Sequence, residues 1–163
     1  MSEKCMCPPA AGAATCELSA PLPSVLCSTC GQKGKLVDTA TLKALLAVPL
    51  TELRTVEYVF CRTPDCPTVY YSLDGQQQFS EDALRERVHQ KHPTADDVFV
   101  CYCFRHSLGS IRAELLATGH STVVETVTAG IQAGQCACDI RNPQGSCCLG
   151  TVRAVVQKIE LGL

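Results

Sequence analysis

The stretch that decides the reading is Val100-Cys101-Tyr102-Cys103-Phe104, taken with its far end, Gly134-Gln135-Cys136-Ala137-Cys138 and Asn142-Pro143-Gln144-Gly145-Ser146-Cys147-Cys148. In an extended segment residues i and i+2 point the same way, so Cys101 and Cys103 present two thiols to one side of a strand end. The far end returns more thiols after a span long enough for two helices. Two thiols plus two is the ligand set of a [2Fe-2S] cluster, although by spacing alone zinc would accept the same four. Six cysteines compete for those four places.

Composition points the same way. The 163 residues are 46% apolar but only 5% aromatic, Trp is absent, and Cys occurs 13 times. A large aromatic core is excluded, so cysteine chemistry has to hold small units together. Residues 1–20 contain no apolar signal segment, and no apolar run reaches the roughly 18 residues a membrane span needs. The expectation is therefore a cytoplasmic, reducing setting with no membrane insertion, where closely spaced Cys pairs mean metal more often than disulfide. Net charge is −2 and the 14 Lys and Arg are scattered, which leaves no electrostatic footprint for nucleic acid. No phosphate loop, nucleophile elbow or H-E-x-x-H occurs, so an enzyme is not expected.

A second set of thiols lies upstream. Cys27-Ser28-Thr29-Cys30-Gly31 is a metal knuckle in which two residues between the thiols make the turn and Gly31 permits the bend. Cys61 and Cys66 supply the other pair, with Tyr58-Val59-Phe60 as the strand entering it and Thr68-Val69-Tyr70-Tyr71 as the strand leaving. Four thiolates so arranged are a structural zinc site: Cys27, Cys30, Cys61 and Cys66. Asp38-Thr39 starts a helix with Leu42, Leu45 and Leu46 on one face, and Pro49 stops it. Asp74-Gly75 marks a turn, and Ser80-Glu81-Asp82 predicts a helix through Leu84 and Val88 to Lys91. His89 and His92 share a spacing of three but read as a solvated helix end rather than ligands, and His106 and His120 are not assigned to a site.

Beyond Cys103, Ser107 caps a helix with Ile111, Leu115 and Leu116 inward, and Gly119 ends it. Ser121 caps the next, carrying Val123, Val124, Val127 and Ile131. The last, from Leu149 to Ile159, buries Val152, Val155 and Val156. The fold class is α+β: a small zinc-knuckle β module followed by a compact three-helix [2Fe-2S] domain. The organisation reads as a flexible Cys-containing tail over 1–24, a zinc-binding module over 25–95 and a [2Fe-2S]-binding helical domain over 96–163. The two metal units are expected to be separable.

The frame V-C-Y-C-F, two helices, G-x-C-x-C, N-P-x-G-x-C-C and a final helix resembles the amino-terminal region of CopZ-type copper chaperones from about Cys27 to Leu161. A weaker likeness is to the [2Fe-2S] domain of bacterioferritin-associated ferredoxin. The resemblance implies Cys101, Cys103, Cys138 and Cys148 as cluster ligands. It leaves Cys136, which could substitute for Cys138, and Cys147, expected to be packed away from Cys148. It also implies copper handling, with a metal-transporting P-type ATPase as partner; the ferredoxin likeness implies instead a small electron-transfer protein with a redox partner. Relatives of the chaperone commonly continue into a heavy-metal-associated domain with its own C-x2-C, whereas this chain stops at Leu163. The expected exchangeable Cu+ site is then Cys5, Cys7 and Cys16 of the tail, because thiolates are soft ligands.

Overall fold

The computed structural model describes residues 25–162. The expected tail, with Cys5, Cys7 and Cys16, lies outside the described residues. The chain is α+β, with a small antiparallel sheet in its first half and helices dominating the second.

The sheet has strands β1 (Lys35–Val37), β2 (Tyr58–Phe60), β3 (Thr68–Ser72) and β4 (Gln78–Ser80) in that order, each antiparallel to the next. Every residue of β2 and β3 is buried, because both faces are covered. On one face lies α1 (Thr39–Leu45), whose Asp38 cap accepts from the Ala40 amide at 2.7 Å. Its Leu42, followed by Leu46, packs with Tyr58, Phe60, Val69, Tyr70 and Phe79. On the other face Cys27, Cys61 and Cys66 gather with Val59 and Tyr71. The strand alternation that sends Phe60 and Tyr70 one way and Val59 and Tyr71 the other thus separates apolar core from thiols.

The helix predicted from Ser80 does not form. A single 3-10 turn, Glu81–Ala83, ends at Leu84, which is extended and bridges to Leu46. The Ala47 amide bonds the Ala83 carbonyl and the Arg85 amide bonds the Leu45 carbonyl, both at 2.8 Å. A Glu81 carboxylate oxygen accepts from the Val88 amide at 2.6 Å. These partners replace the helical bonds that the segment would otherwise make.

The second half opens with a short hairpin, β5 (Phe99–Cys101) against β6 (His106–Ser107). Helices α2 (Leu108–Thr118), α3 (Val123–Gln132), α4 (Cys138–Arg141) and α5 (Leu149–Glu160) follow. Ser107 caps α2 as expected, in a reciprocal box with Ser110, and Gly119 takes φ +72° at its end. The cap of α3 is Thr122 rather than Ser121, though the Ser121 hydroxyl still accepts from the Val123 amide at 3.3 Å. Ile111, Val123, Val127, Val152 and Val156 form the core beneath Val100 and Cys101. Leu116 is exposed rather than inward. At about 100° per residue it stands some 140° round the helix from Ile111. Gly130, in α3, is a contact: a Cβ there would lie 2.2 Å from Phe104 Cζ. No helix among the described residues is long and apolar enough to cross a membrane.

Candidate metal centres

The first centre is built by two knuckles. In one, the Cys27 amide bonds the Gln32 carbonyl at 2.9 Å, the Gly31 amide bonds the Cys27 carbonyl at 2.7 Å, and Gly31 sits at φ +71°. In the other, the Cys61 amide bonds Val69 and the Cys66 amide bonds Thr63, at 2.8 and 3.2 Å. Gly34 lets the first knuckle lie flat on the sheet, since a Cβ there would be 2.4 Å from Val59 Cγ1 and 2.6 Å from the Tyr71 hydroxyl. That hydroxyl donates to the Val25 carbonyl at 2.6 Å.

The result is a closed set of sulfurs. Cys27, Cys30, Cys61 and Cys66 place all four Sγ atoms within 4.8 Å of one another, with Cys27 to Cys66 at 3.8 Å and Cys30 to Cys61 at 3.7 Å. Sulfurs each about 2.3 Å from one zinc ion lie about 3.8 Å apart along a tetrahedral edge, so the set fits Zn2+ without rearrangement. Cys27, Cys61 and Cys66 are buried and Cys30 is half-buried. Burial works to raise the Cys30 thiol, but hydrogen bonds with the Thr63 hydroxyl, the Gln32 main chain and neighbouring thiols outweigh it and bring it to about 6. Burial pushes Cys66 up to about 12. A thiolate at Cys30 beside a protonated Cys66 is the state expected of crowded thiols before a cation neutralises them.

The second group, Cys101, Cys103, Cys138 and Cys148, is also brought together, in a different shape. Cys103 Sγ lies 3.6 Å from Cys138 Sγ, while Cys148 is near enough to Cys101 and to Cys138 to act on both thiols. These contacts run as an open chain, 101 to 148 to 138 to 103. Among the described residues only the first centre has three or more ligand atoms within 4.8 Å of each other. The second set is wider, with Cys103 and Cys138 lying as a close pair. Main-chain amides point at its sulfurs: Ala137 to Cys103 at 3.2 Å, Cys103 and Phe104 to Cys101, and Cys148 to Cys138. N–H donors to sulfur are what an anionic cluster needs.

The hydrogen bond from Cys148 holds the Cys101 thiol down at about 6, and the same contact drives Cys148 strongly upward. Burial pushes Cys138 up to about 12. Cys148 stands at the start of α5 and Cys138 at the start of α4. Cys136 is half-buried beside this group, and Cys147, expected to be packed, is exposed.

Several contributing residues carried no signal in the sequence. Tyr102 faces away from the thiols on either side of it: its hydroxyl accepts from the His89 amide at 2.9 Å and donates to the Arg87 carbonyl at 2.7 Å. His89 is buried, not solvated, and burial lowers its pKa. His92 pairs with Glu81 instead. Thr63, found beside Cys30 at 3.4 Å, could have been suspected from its place inside the second knuckle.

Comparison with known proteins bears on the first centre. The family model of the CopZ zinc-binding domain matches residues 24–85. In structure, the chain is similar to the N-terminal domain of CopZ from Archaeoglobus fulgidus, with a TM-score of 0.66 and 26% sequence identity, over 80% of this chain and 96% of that one. No curated protein matches. The two likenesses support a CopZ-type region in which the first centre is a zinc site.

Proposed function

We propose that the chain is a cytoplasmic, non-enzymatic metallochaperone with structural zinc and a [2Fe-2S] cluster, which binds copper as cargo, keeps it as Cu+ and delivers it to a metal-transporting P-type ATPase. The observation that carries this reading is the contrast between the closed tetrahedral set and the open chain of paired thiols, within a fold similar to a CopZ N-terminal domain.

Cys27, Cys30, Cys61 and Cys66 hold zinc; Cys101, Cys103, Cys138 and Cys148 would hold the cluster. When bound, the cluster would supply single-electron chemistry. The Ala137 amide holds the Cys103 sulfur in place, while the main chain of Cys103 and Phe104 favours the thiolate of Cys101 and that of Cys148 the thiolate of Cys138. Phe104, seated on Gly130, covers the adjoining face of the core and helps keep water from it. The cargo needs an exchangeable site apart from these two. Cys5, Cys7 and Cys16 offer soft thiolates for Cu+ in a segment outside the described residues.

Anaerobic purification with metal analysis and a visible spectrum, followed by copper titration against a competing chelator, tests the proposal. One zinc and one cluster per chain are expected, with copper binding that weakens when residues 1–24 are deleted. Absence of iron refutes the cluster. Copper binding unchanged by the deletion refutes the tail site, and no copper binding by the full chain leaves a ferredoxin-like electron carrier with a redox partner.

A further inference from the structure

The segment between Cys138 and Cys148 does not shape itself alone. Within it, Asn142 donates to the Ser146 carbonyl at 2.7 Å and accepts from the Gln144 amide at 3.2 Å, which closes the turn. Its outward carbonyls, however, are taken by side chains of the zinc-bearing half. The Thr41 hydroxyl of α1 donates to the Asp139 carbonyl, the Tyr70 hydroxyl of β3 donates to the Pro143 carbonyl at 2.6 Å, and Lys35 Nζ of β1 donates to the Gln144 carbonyl at 3.3 Å. Tyr70 and Pro143 are both buried, so the Pro143 carbonyl has no water to fall back on. Burial keeps the Tyr70 phenol protonated far above neutral pH, so it remains a donor. Gly145, at φ +64°, fits beneath Thr41, where a Cβ would come within 3.2 Å of the hydroxyl.

The strand that carries Tyr70 is itself anchored at the zinc site. Cys66 directly precedes it, save for Pro67, and the Cys61 amide bonds the Val69 carbonyl at 2.8 Å. A path of packed, hydrogen-bonded residues therefore runs from the zinc sulfurs through β3 to the turn that holds Cys138 and Cys148 at their separation.

We infer that Tyr70 and Thr41 are positioning residues for the Cys138 and Cys148 half of the second thiol group, so that retention of a cluster there depends on the zinc-bearing unit; this rests on the cluster reading proposed above. On this inference the second thiol group is not separable from the zinc-bearing unit. The turn borrows its shape from α1 and β3, whereas among the described residues the hydrogen bonds of the zinc sulfurs fall within residues 25–95.

Tyr70→Phe in the full chain tests this, because it removes one hydroxyl and leaves the ring. Two quantities are read: amide exchange of residues 139–147 in zinc-loaded, iron-free protein, and the rate at which an Fe(II) chelator bleaches the cluster in loaded protein. Losing a donor to a buried carbonyl is expected to speed exchange in that segment by roughly tenfold. Bleaching should quicken in parallel, with zinc content and exchange across β2 and β3 unchanged. General destabilisation would instead raise exchange in β2 and β3 as well, and that result overturns the inference. So does unchanged exchange over 139–147. If Tyr70→Phe fails to fold, Thr41→Val, nearly isosteric, is read the same way at Asp139. Protein that never takes up iron refutes the cluster reading, while the exchange measurement still decides the positioning role.

Discussion

Gly130→Ala sets two effects of known sign against each other. On helix propensity alone the substitution should stabilise α3 by about 1 kcal/mol, since Gly is the poorer residue inside a helix. The added Cβ, however, would lie 2.2, 2.6 and 2.9 Å from three atoms of the Phe104 ring. These distances are well inside contact, so the ring must leave its seat or α3 must move. Overpacking of this kind costs roughly 1–3 kcal/mol, and displacing the half-buried Phe104 ring adds a smaller loss that offsets the propensity gain. Packing therefore wins, with a net loss of roughly 1–3 kcal/mol, or about 3–10 °C in Tm for a chain of this length. Gly150→Ala is the control: it lies in the first turn of α5, where a new Cβ meets nothing within 4 Å. It should raise Tm by up to about 4 °C. Thermal melts followed by far-UV circular dichroism, under anaerobic conditions and at fixed metal content, measure both. If Gly130→Ala stabilised the protein as Gly150→Ala does, Phe104 would not be seated against α3 and its part in covering that face of the core would be wrong.

Cys27→Ala should abolish zinc binding and unfold the first unit, because zinc is worth about 10–16 kcal/mol in isolated fingers against a total stability of roughly 5–15 kcal/mol for a domain; retained zinc with a native circular dichroism spectrum would refute the ligand set. Asn142→Ala removes both side-chain bonds that close the turn before Cys148 and is expected to cost roughly 2–3 kcal/mol while sparing zinc, as read by urea denaturation and metal analysis. Asp74 is held down at about 2 by the Ser72 hydroxyl, with Arg54 and the Gln76 amide adding to it. A depressed folded pKa means that its contribution is complete above the unfolded value of about 4 and is lost as pH falls towards 2. Asp74→Asn should flatten that part of a plot of Tm against pH, and an unchanged plot would show that the turn does not depend on the carboxylate.

Much of the fold was legible because it is local. The knuckles, the strands on either side of Cys61 and Cys66, the Asp38 and Ser107 caps and the left-handed Gly119 each declare themselves within a few residues. Elements whose reason lies elsewhere in the chain were not. Residues 81–88 have a helix-like start, yet a bridge to Leu46 and a Glu81 carboxylate claim their main chain. The helix Cys138–Arg141 is too short to show a period, and it exists against α1. The pairing of thiols is of the same kind. Spacing shows that Cys101 goes with Cys103 in sequence, but that Cys103 meets Cys138 while Cys101 meets Cys148 depends on how distant segments align.

The three bonds from Thr41, Tyr70 and Lys35 to residues 139–144 span 98, 73 and 109 residues of chain. Contacts so distant must wait for the intervening loop to close, and the entropy of that closure is recovered only once both surfaces exist. Among the described residues the zinc sulfurs and their hydrogen-bond partners lie within residues 25–95, so that centre can form while the later part of the chain is still being synthesised. The turn between Cys138 and Cys148 would then settle on a surface already formed, and on the cluster reading maturation would have an order, with zinc entering first and the second centre assembled last.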